Sequence, residues 1–430
     1  MEREEPVMLR KFTSEKERRF LCALCCLAYF VSYLTRLNYA ACMVEIQNDL
    51  QISKNIAGLP VTACFLSYGI GQLVCGWLGD KFMPHKMIFT GLNGSALCNL
   101  MMVLLPWNGA MVPVWCVNGF FQSMLWPPMV RIMAESLDDK WYRLSCVLVS
   151  VSSSAATISI YLLVPVCIEA SGWTLVFYLA AFIGGAAALV WIGGTAKLGI
   201  AQGIAASESD EAAAAAADSA PAREQPAAGG FRMKFLVTKV PLVAIMMAII
   251  LHGTLKDGII TWMPVYMTDM FGMSAAQSIL SAAALPVFSV FSTLIASLLL
   301  TRMKNELAAG AFLFGLGAMA ALAILPVWDR YPVVCIVMMM LITGCMYGVN
   351  LMLISRVPGH FAGFGKVSTI SGILNAATYI GSALSTYGFG AVAEHFGWMQ
   401  VVMLWAAAAL GGALFLVPRI HKWGDFCKGA

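Results

Sequence analysis

The chain has 430 residues, of which 60% are apolar and only 12% are charged, about half the charged share of a typical soluble protein. Surface area grows almost as fast as mass, so a soluble chain of this length has no way to bury so many apolar side chains. The formal net charge is a modest +4. Composition therefore excludes an ordinary soluble domain and indicates a membrane protein with the lipid bilayer as its solvent, and we expect no nucleic-acid partner.

The apolar runs predict twelve transmembrane helices, because a helix needs roughly 20 apolar residues to cross the hydrocarbon core. The first run follows a polar segment and is much longer than the apolar core of a secretion signal, so we expect a membrane span there and no cleaved signal. The first six spans are about 20–44, 57–78, 87–106, 111–133, 144–168 and 173–195. The second six are about 240–268, 277–301, 307–326, 332–354, 368–393 and 398–418.

A polar segment divides the two sets of spans. Residues 197–234 contain Glu208, Asp210 and Glu211, then a run of alanines, then Pro221 and Pro226. Low hydrophobicity and mixed charge predict a flexible linker here and no further span. The predicted organisation is an N-terminal half at 1–196, a cytoplasmic linker at 197–234 and a C-terminal half at 235–430.

The distribution of Lys and Arg predicts the orientation, since cytoplasmic loops carry an excess of both. With the N-terminus in the cytoplasm, nearly all basic residues lie at the cytoplasmic face. The exceptions are Lys54 and Arg330 on the outer side, and Arg36 and Lys256 within spans. The opposite orientation places nearly every basic loop on the wrong side. We therefore expect a multi-pass protein of a bacterial inner membrane with both termini in the cytoplasm.

The two sets of spans also match each other. Arg36 is the seventeenth residue of the first span, and Lys256 is the seventeenth of the seventh. Gly172–Trp173 opens the sixth span, and Gly397–Trp398 opens the twelfth. These repeats predict two parallel six-helix halves related by a pseudo-twofold axis, with a site at their interface near the membrane midplane.

Arg36 and Lys256 are the candidate binding residues. An ionisable group near the bilayer centre costs several kcal/mol, so it usually faces water or a partner. One interpretation is that both cations converge on an anionic substrate. The other is structural pairing, for instance of Lys256 with Asp257, although adjacent helix residues point roughly 100° apart and this pair is expected to be poorly placed.

Histidines and cysteines indicate neither an enzyme nor a metal site. His252 lies one turn before Lys256 and is a candidate for proton coupling, with helix packing as the alternative. The remaining histidines form no set with a nucleophile, and no phosphate-binding Gly-rich Lys loop indicates ATP-driven transport. The cysteines lie mostly in apolar runs without paired spacing. We therefore expect no enzyme activity, no metal and no cofactor.

The loop at 76–81, between the second and third spans, is the first family marker. It places Asp80 and Lys81 in a tight turn, with Lys86 following. Asp80 is expected to accept hydrogen bonds from helix N-termini or to pair with Arg131. The loop resembles the corresponding motif of the major facilitator superfamily, which implies a gating role for Asp80, Lys81, Lys86 and Arg131.

The fourth span carries the more specific resemblance. Paired prolines, Pro127 and Pro128, predict a kink beside Gln122 and Trp126. The pattern Gln-x-x-x-Trp-Pro-Pro-x-x-Arg resembles the organophosphate:phosphate antiporter family of that superfamily. Further stretches are similar to the first, seventh, eleventh and twelfth helices of that family: 33–39, 256–266, 372–381 and 397–398.

The resemblance implies alternating access around a central anion site, with a phosphorylated solute exchanged for inorganic phosphate. Arg36 and Lys256 would hold the phosphoryl oxygens, the first as a bidentate donor and the second as a point charge. The side chains implied to line the cavity are Tyr33, Gln122, Trp126 and Tyr266. We expect a monomer.

Several departures from the family pattern reduce the positive charge near the pathway. Leu37 and Gln72 stand where lysines are usual, serines at 150 and 152–154 stand where a histidine can occur, and Lys256 stands where Arg is usual. A carboxylate, a sugar acid or a singly charged phosphodiester suits such a site as well as a phosphate ester does. The alternatives to phosphate antiport are therefore a proton-coupled carboxylate or sugar-acid symporter and a sugar-phosphate sensor on the same fold.

Overall fold

The computed structural model describes residues 9–52, 54–106, 108–200, 240–273 and 275–429, and the regular elements in these residues are helices. We call residues 9–200 the first half and residues 240–429 the second half. The helices of the first half are α1 (Glu15–Leu50), α2 (Lys54–Lys81), α3 (Pro84–Leu104), α4 (Asn108–Ser123), α5 (Trp126–Ser136), α6 (Asp139–Ser171) and α7 (Trp173–Lys197).

The second half begins with α8 (Leu242–Phe271), α9 (Ala275–Met303), α10 (Glu306–Ile324) and α11 (Pro332–Val349). Helix α11 continues as a π-helix at Asn350–Arg356 and a 3-10 helix at Val357–Phe364. The chain then forms α12 (Val367–Phe396), α13 (Trp398–Leu416), a short 3-10 turn at Val417–Arg419 and α14 (Ile420–Gly429). The sequence did not predict α14, which follows the last span.

The predicted all-α membrane fold is confirmed. Among the described residues, ten helices are long and apolar enough to cross a membrane. The fourth predicted span is divided, since α4 ends at Ser123 and α5 begins at Trp126 with prolines in its first turn, where a missing N–H is tolerated. The eleventh predicted span is α12. The predicted linker lies, beyond Ile200, outside the described residues.

The outer surface of the bundle is apolar. Large side chains such as Phe182 (74% exposed) and Leu414 (71% exposed) point away from it. A patch of this kind would cause aggregation in water, but it needs no partner other than lipid tails. The helices themselves satisfy their backbone groups internally, as a bilayer requires.

Each half has the same tryptophan–aspartate hydrogen bond between two of its helices at one end of the bundle. The Trp173 indole Nε1 donates to Asp49 Oδ2 at 2.8 Å, and the Trp398 Nε1 donates to Asp269 Oδ2 at 3.1 Å. Gly172 (φ +76°) precedes the first tryptophan, and Gly397 (φ +92°) precedes the second, in a backbone region that favours glycine. We call this end the Trp173 end and the opposite one, with the α2–α3 loop, the Asp80 end.

The halves pack most closely where α2 meets α12. A Cβ atom on Gly372 would lie 2.2 Å from the Gln72 carbonyl oxygen and 2.8 Å from the Gly76 Cα. Small residues of this kind let helix backbones approach each other. Beside them, Asn375 Nδ2 donates to Gln72 Oε1 at 3.0 Å. Gln72 is thus part of the contact between the halves.

Replacement of Gly372 by Ala is expected to weaken this contact, because the added methyl group overlaps a backbone atom that has no rotamer to change. Overpacking of this kind costs about 1–3 kcal/mol. Thermal unfolding in detergent should show a lower transition temperature than for the wild type. Gly388→Ala on the same helix is the matched control, since nothing lies within 4 Å of its added Cβ. Equal stability of the two variants would contradict the close approach.

Candidate functional site

A buried polar network sets the rotation of α1 and thereby the direction of Arg36. The Thr35 carbonyl oxygen accepts hydrogen bonds from Asn99 Nδ2 (2.9 Å) and Asn118 Nδ2 (3.2 Å). Gln122 Nε2 donates to the Thr35 hydroxyl at 2.8 Å. Interhelical hydrogen bonds of this type hold helices together where lipid offers no partner. Because Thr35 faces α3 and α4, its neighbour Arg36 projects to a different side of α1.

The Arg36 guanidinium lies between two tyrosine rings. Its Cζ is 4.6 Å from the ring centroid of Tyr33 and 4.8 Å from that of Tyr68. Aromatic faces attract a guanidinium, and the attraction is stronger where water is excluded. Arg36 is only 9% exposed, and its Nε has no hydrogen-bond partner within the described part of the chain. The guanidinium is therefore held in place with donor capacity left over.

The second half completes this aromatic enclosure. Tyr379 of α12 lies with its ring centroid 4.8 Å from that of Tyr68. Tyr33 is close enough to both Arg36 and Lys256 to interact electrostatically with each. Tyr347 of α11 lies next to Lys256, whose Nζ is 5.8 Å from its ring centroid. Tyrosines from both halves thus surround the two cations, and we call this group the central site.

Lys256 is paired, contrary to the expectation from helix geometry. Its Nζ lies 3.3 Å from Asp257 Oδ1, and Ser382 Oγ donates to the other carboxylate oxygen, Oδ2. The expectation was wrong because it considered only the 100° between adjacent Cα–Cβ directions. The four-carbon stem of lysine is long enough to bend back to its neighbour. Both side chains are partly exposed, at 17% and 30%.

Arg36, in contrast, has no such partner in the part of the chain that the structure describes. Among the residues that the structure describes, no carboxylate lies within ion-pair distance of its guanidinium. The central site therefore holds two cations and one anion, and the charge left uncompensated lies on Arg36.

Two of the predicted lining residues lie outside the central site. Gln122 is 2% exposed and gives its amide hydrogens to Thr35 and to Ser95 Oγ (2.7 Å) within the first half. Tyr266 is fully buried near the Trp173 end, where its hydroxyl donates to the Trp328 carbonyl oxygen at 2.5 Å. The Gln122 amide nitrogen and the Tyr266 hydroxyl thus have partners in the helix packing, and the contact of both residues with substrate stays a prediction.

Trp126 occupies an intermediate position. It is 3% exposed, and its ring centroid lies 4.9 Å from that of Tyr29, which in turn lies 5.2 Å from Tyr33. Trp126 thus supports the tyrosine layer from behind. His252 is fully buried one turn before Lys256. Its role in proton coupling stays a prediction.

Asp80 joins the two halves at the Asp80 end. Its carboxylate accepts from the backbone N–H groups of Ser368 (2.8 Å) and Thr369 (2.9 Å), and from the Thr369 hydroxyl. These residues form the first turn of α12, where unpaired N–H groups and the helix dipole favour a negative charge. Of the two partners expected for Asp80, the structure selects the helix N-terminus.

The predicted loop at 76–81 is instead the last part of α2, which ends at Lys81 and carries Asp80. Arg131 stabilises this helix end. Its Nη1 donates to the carbonyl oxygens of Gly79 (2.7 Å) and Phe82 (3.3 Å), while its Nε pairs with Glu135 at 2.9 Å. Lys81 places its Nζ 3.7 Å from the Trp77 ring centroid, and Lys86 is exposed. Arg131 and Asp80 thus both act at the end of α2. The gating role of all four residues stays a prediction.

A second contact between the halves lies beside this one. The Tyr142 hydroxyl of α6 donates to the Ser355 carbonyl oxygen at 2.5 Å, and the Cys146 thiol points to the same oxygen at 3.6 Å. Gly359 gives room for the tyrosine ring, since a Cβ there would lie 2.6 Å from Tyr142 Cε1. Together with the Asp80 contact, this packing closes the Asp80 end in the conformation described.

The Major Facilitator Superfamily profile matches residues 25–386. The chain belongs to this superfamily. This superfamily is a family of membrane transporters, which are not enzymes. Because relatives with organophosphate names also match, the predicted resemblance to the organophosphate:phosphate antiporter branch is confirmed.

The relatives differ in how much of the chain they match. A glycerol-3-phosphate transporter of Bacillus subtilis (strain 168) is 32% identical over 123 residues, which is 28% of this chain and 26% of the relative. A probable hexose phosphate transport protein of Chlamydia muridarum (strain MoPn / Nigg) is 23% identical over 91% of this chain and 88% of its own. A probable sulfoacetate transporter of Cupriavidus necator is 25% identical over 94% of this chain and 95% of the relative.

Solved structures support the superfamily fold. The chain matches a bacterial homologue of the iron transporter ferroportin in an outward-facing state with a TM-score of 0.68 and 10% identity, over 94% of this chain and 99% of the other. It also matches the superfamily transporter FucP in the outward conformation with a TM-score of 0.64 and 13% identity, over 96% of this chain and 99% of the other.

Sequence reasoning about this superfamily member missed Tyr68 and Tyr379, because tyrosines in apolar helices carry no charge signal that separates a site from packing. It also missed Asp49 and Asp269. These two were detectable, since they stand at corresponding positions near the ends of the first and seventh spans, as Arg36 and Lys256 do near their middles.

Proposed function

We propose that this protein is a secondary active transporter for a small organic anion and that it works by alternating access in a bacterial inner membrane. The Asp80 end faces the cytoplasm, as the distribution of Lys and Arg favours. The organic-anion class is supported by the names of three relatives, two of which refer to phosphate esters and one to a sulfonate. The two six-helix halves rock around the central site, with the linker at 197–234 joining them.

The uncompensated charge of Arg36 is the observation that carries this proposal. A buried cation without a carboxylate partner is costly in a membrane unless a ligand neutralises it. Its guanidinium is oriented by Tyr33 and Tyr68 and retains unused donors. A planar guanidinium suits bidentate contact with the oxygen atoms of a phosphoryl, sulfonate or carboxylate head.

The ion pair of Lys256 with Asp257 restricts the charge of the substrate. With this pair formed, the central site carries one net positive charge, so it is matched best by an anionic head with one negative charge. A phosphate ester has a second pKa of about 6 and is mostly a dianion at pH 7. We therefore propose that the site selects a sulfonate, a carboxylate or the singly ionised form of a phosphate ester.

Inorganic phosphate is the proposed counter-substrate, in its singly charged form. A monomer is sufficient for this exchange, since both cations belong to one chain. The tyrosine hydroxyls of the central site provide donors and acceptors for the organic part of the substrate. Gln122 and Tyr266 are left out of this assignment because the Gln122 amide nitrogen and the Tyr266 hydroxyl form hydrogen bonds in the helix packing.

Counterflow in proteoliposomes tests this proposal. Vesicles loaded with labelled phosphate are diluted into glycerol 3-phosphate, a hexose phosphate, a short sulfonate or a sugar acid at pH 6.0, 7.0 and 8.0. Above the second pKa of a phosphate ester, its singly charged form becomes up to tenfold rarer with each pH unit. The apparent affinity for the phosphate esters should therefore fall steeply as the pH rises from 6.0 to 8.0. Affinity for the sulfonate, whose charge is fixed, should stay constant.

Other outcomes identify the alternatives. Uptake that depends on a proton gradient and not on internal phosphate would replace the antiport proposal with a proton-coupled anion symport, in which His252 becomes the first candidate for the proton site. Saturable binding of a sugar phosphate without any flux would favour a sensor. Affinity for phosphate esters that rises with pH would contradict selection of the singly charged form.

Replacement of Asp257 by Asn is expected to invert the charge preference. The substitution frees Lys256, so the central site gains one positive charge and can neutralise a dianion. Apparent affinity for phosphate esters at pH 8.0 should improve by about tenfold, equivalent to roughly 1.4 kcal/mol, and the fall with pH should disappear. Affinity for the sulfonate should change much less. A parallel loss of both substrates would show that Asp257 is needed for the site in another way and would contradict the charge argument.

A further inference from the structure

Three potential metal ligands meet at the Asp80 end of the second half, away from the central site. Glu306 begins α10, His360 lies in the 3-10 segment Val357–Phe364, and Cys427 lies in α14. One ligand atom from each lies within 4.8 Å of the other two, and His360 Nε2 is 3.1 Å from Glu306 Oε1. The residues come from three separate segments, so their spacing in the sequence contains no metal motif.

The surroundings orient these ligands. The buried Trp423 Nε1 donates to Glu306 Oε2 at 2.9 Å, which leaves Oε1 directed towards His360. The His360 ring packs edge to face against Trp423 at a centroid distance of 5.2 Å. Hydrogen bonds to the second oxygen of a ligating carboxylate are a usual feature of metal sites, because they fix its direction.

Helix α14 is itself tethered to the start of α10. Asn305 Nδ2 donates to the Ile420 carbonyl oxygen at 3.1 Å, while Asn305 Oδ1 accepts from the N–H groups of Leu307 and Ala308. This places Cys427 on a helix whose position relative to Glu306 is fixed at its other end. The geometry is thus set by packing and does not depend on a bound ion.

From this arrangement we infer that Glu306, His360 and Cys427 form a site for a Zn²⁺-like divalent cation. Thiolate, imidazole and carboxylate together are the ligand set that Zn²⁺ accepts, with bonds of roughly 2.0–2.3 Å to each. Such bonds bring the ligand atoms to roughly 3.3–3.7 Å of one another. The ion replaces the contact between His360 and Glu306, and the Cys427 thiol proton leaves to solvent on binding.

The fourth ligand of the ion is water. His360 is 30% exposed, so solvent and the ion reach the site from the Asp80 end. Binding ties the segment Val357–Phe364 to α10 and α14. The same segment contacts Tyr142 of the first half through Gly359. A bound ion therefore stabilises a segment of the second half that packs against the first half.

Cobalt binding to the full-length, tag-free protein in detergent tests this site. Co²⁺ takes the place of Zn²⁺ and reports a bound thiolate by a charge-transfer absorption in the near ultraviolet. We expect about one equivalent of Co²⁺ to develop this band and Zn²⁺ to displace it. Cys427→Ser should abolish the band, and His360→Gln should weaken Co²⁺ binding at least tenfold. Cys167→Ser and His395→Gln, which alter residues outside the cluster, should bind as the wild type does.

Unfolding temperatures measured without metal show whether each variant is folded, so loss of the band is interpreted only for a folded protein. If Cys427→Ser is unstable, Cys427→Ala and His360→Gln provide the same readout. A wild type that shows no thiolate band with excess Co²⁺ would overturn the inference. A band that survives in the Cys427 and His360 variants would also overturn it, because the ion would then be bound adventitiously elsewhere.

Discussion

Replacement of Arg36 by Ala is expected to lower transport of the organic anion by at least about 100-fold while the protein stays folded in the membrane. A charge-assisted hydrogen bond contributes about 1.5–3 kcal/mol, and a bidentate pair contributes two of them. The fold should tolerate the change, because it removes a buried charge for which the described residues provide no carboxylate partner. Uptake in proteoliposomes and thermal unfolding of the purified protein measure the two effects.

Two further variants make this prediction specific. Arg36→Lys keeps the charge but loses the planar fork and its stacking between Tyr33 and Tyr68, so it should retain only a small part of the wild-type transport. Arg19→Ala alters an exposed arginine of the same helix and should transport normally. Normal transport by Arg36→Ala would mean that the substrate binds elsewhere.

Replacement of Asp80 by Asn is expected to open the Asp80 end and to impair transport by tenfold or more. Asn has no negative charge to offer the N-terminus of α12, and its amide group has a single acceptor oxygen where the carboxylate has two. Loss of about 1.5–3 kcal/mol changes the ratio of the two conformations by roughly 10-fold to 100-fold. The protein then spends too little of the transport cycle in the conformation that is closed at the Asp80 end.

The native Cys146 reports this opening. Its thiol is buried against the Ser355 carbonyl oxygen in the contact between the halves, so alkylation by a maleimide should be slow in the wild type and faster in Asp80→Asn. Peptide mass spectrometry measures the modification. Cys335, buried within the second half near the Trp173 end, should keep its rate. Asp139→Asn, an exposed aspartate at the same end, should behave as the wild type, and a Cys146 rate that is equal in all three proteins would refute the gating role of Asp80.

The ion pair between Lys256 and Asp257 illustrates what sequence reasoning lacked. Both residues are visible in the sequence, and the divergence of adjacent Cβ atoms on a helix predicts that they are poorly placed to pair. The decisive factors were the flexible lysine stem and the hydroxyl of Ser382, which stabilises the carboxylate from α12. A side chain on another helix is not visible in the spacing of one segment.

Gln122 and Tyr266 illustrate a different limit of sequence reasoning. A family pattern predicts them near the pathway, and the structure shows that the Gln122 amide nitrogen and the Tyr266 hydroxyl form packing contacts. Their contact with substrate stays a prediction. Tyr68 and Tyr379 enclose Arg36 from two different halves, and only the packing of α2 against α12 brings them together.

The sequence by itself determined the all-α membrane fold and drew attention to the unusual cation Arg36, and its twelve predicted spans compare with ten candidate spans among the described residues. These follow from length, hydropathy and charge, because a bilayer imposes the same rules on every helix independently of its neighbours. The tertiary structure decided which way Arg36 faces, which acid neutralises Lys256, and which helix Asp80 binds. Each of these depends on contacts between residues far apart in the chain, and no periodicity within one helix records them. Arg36 stands out in both: in the sequence as a cation within an apolar span, and in the described part of the structure as a buried cation without an ion pair.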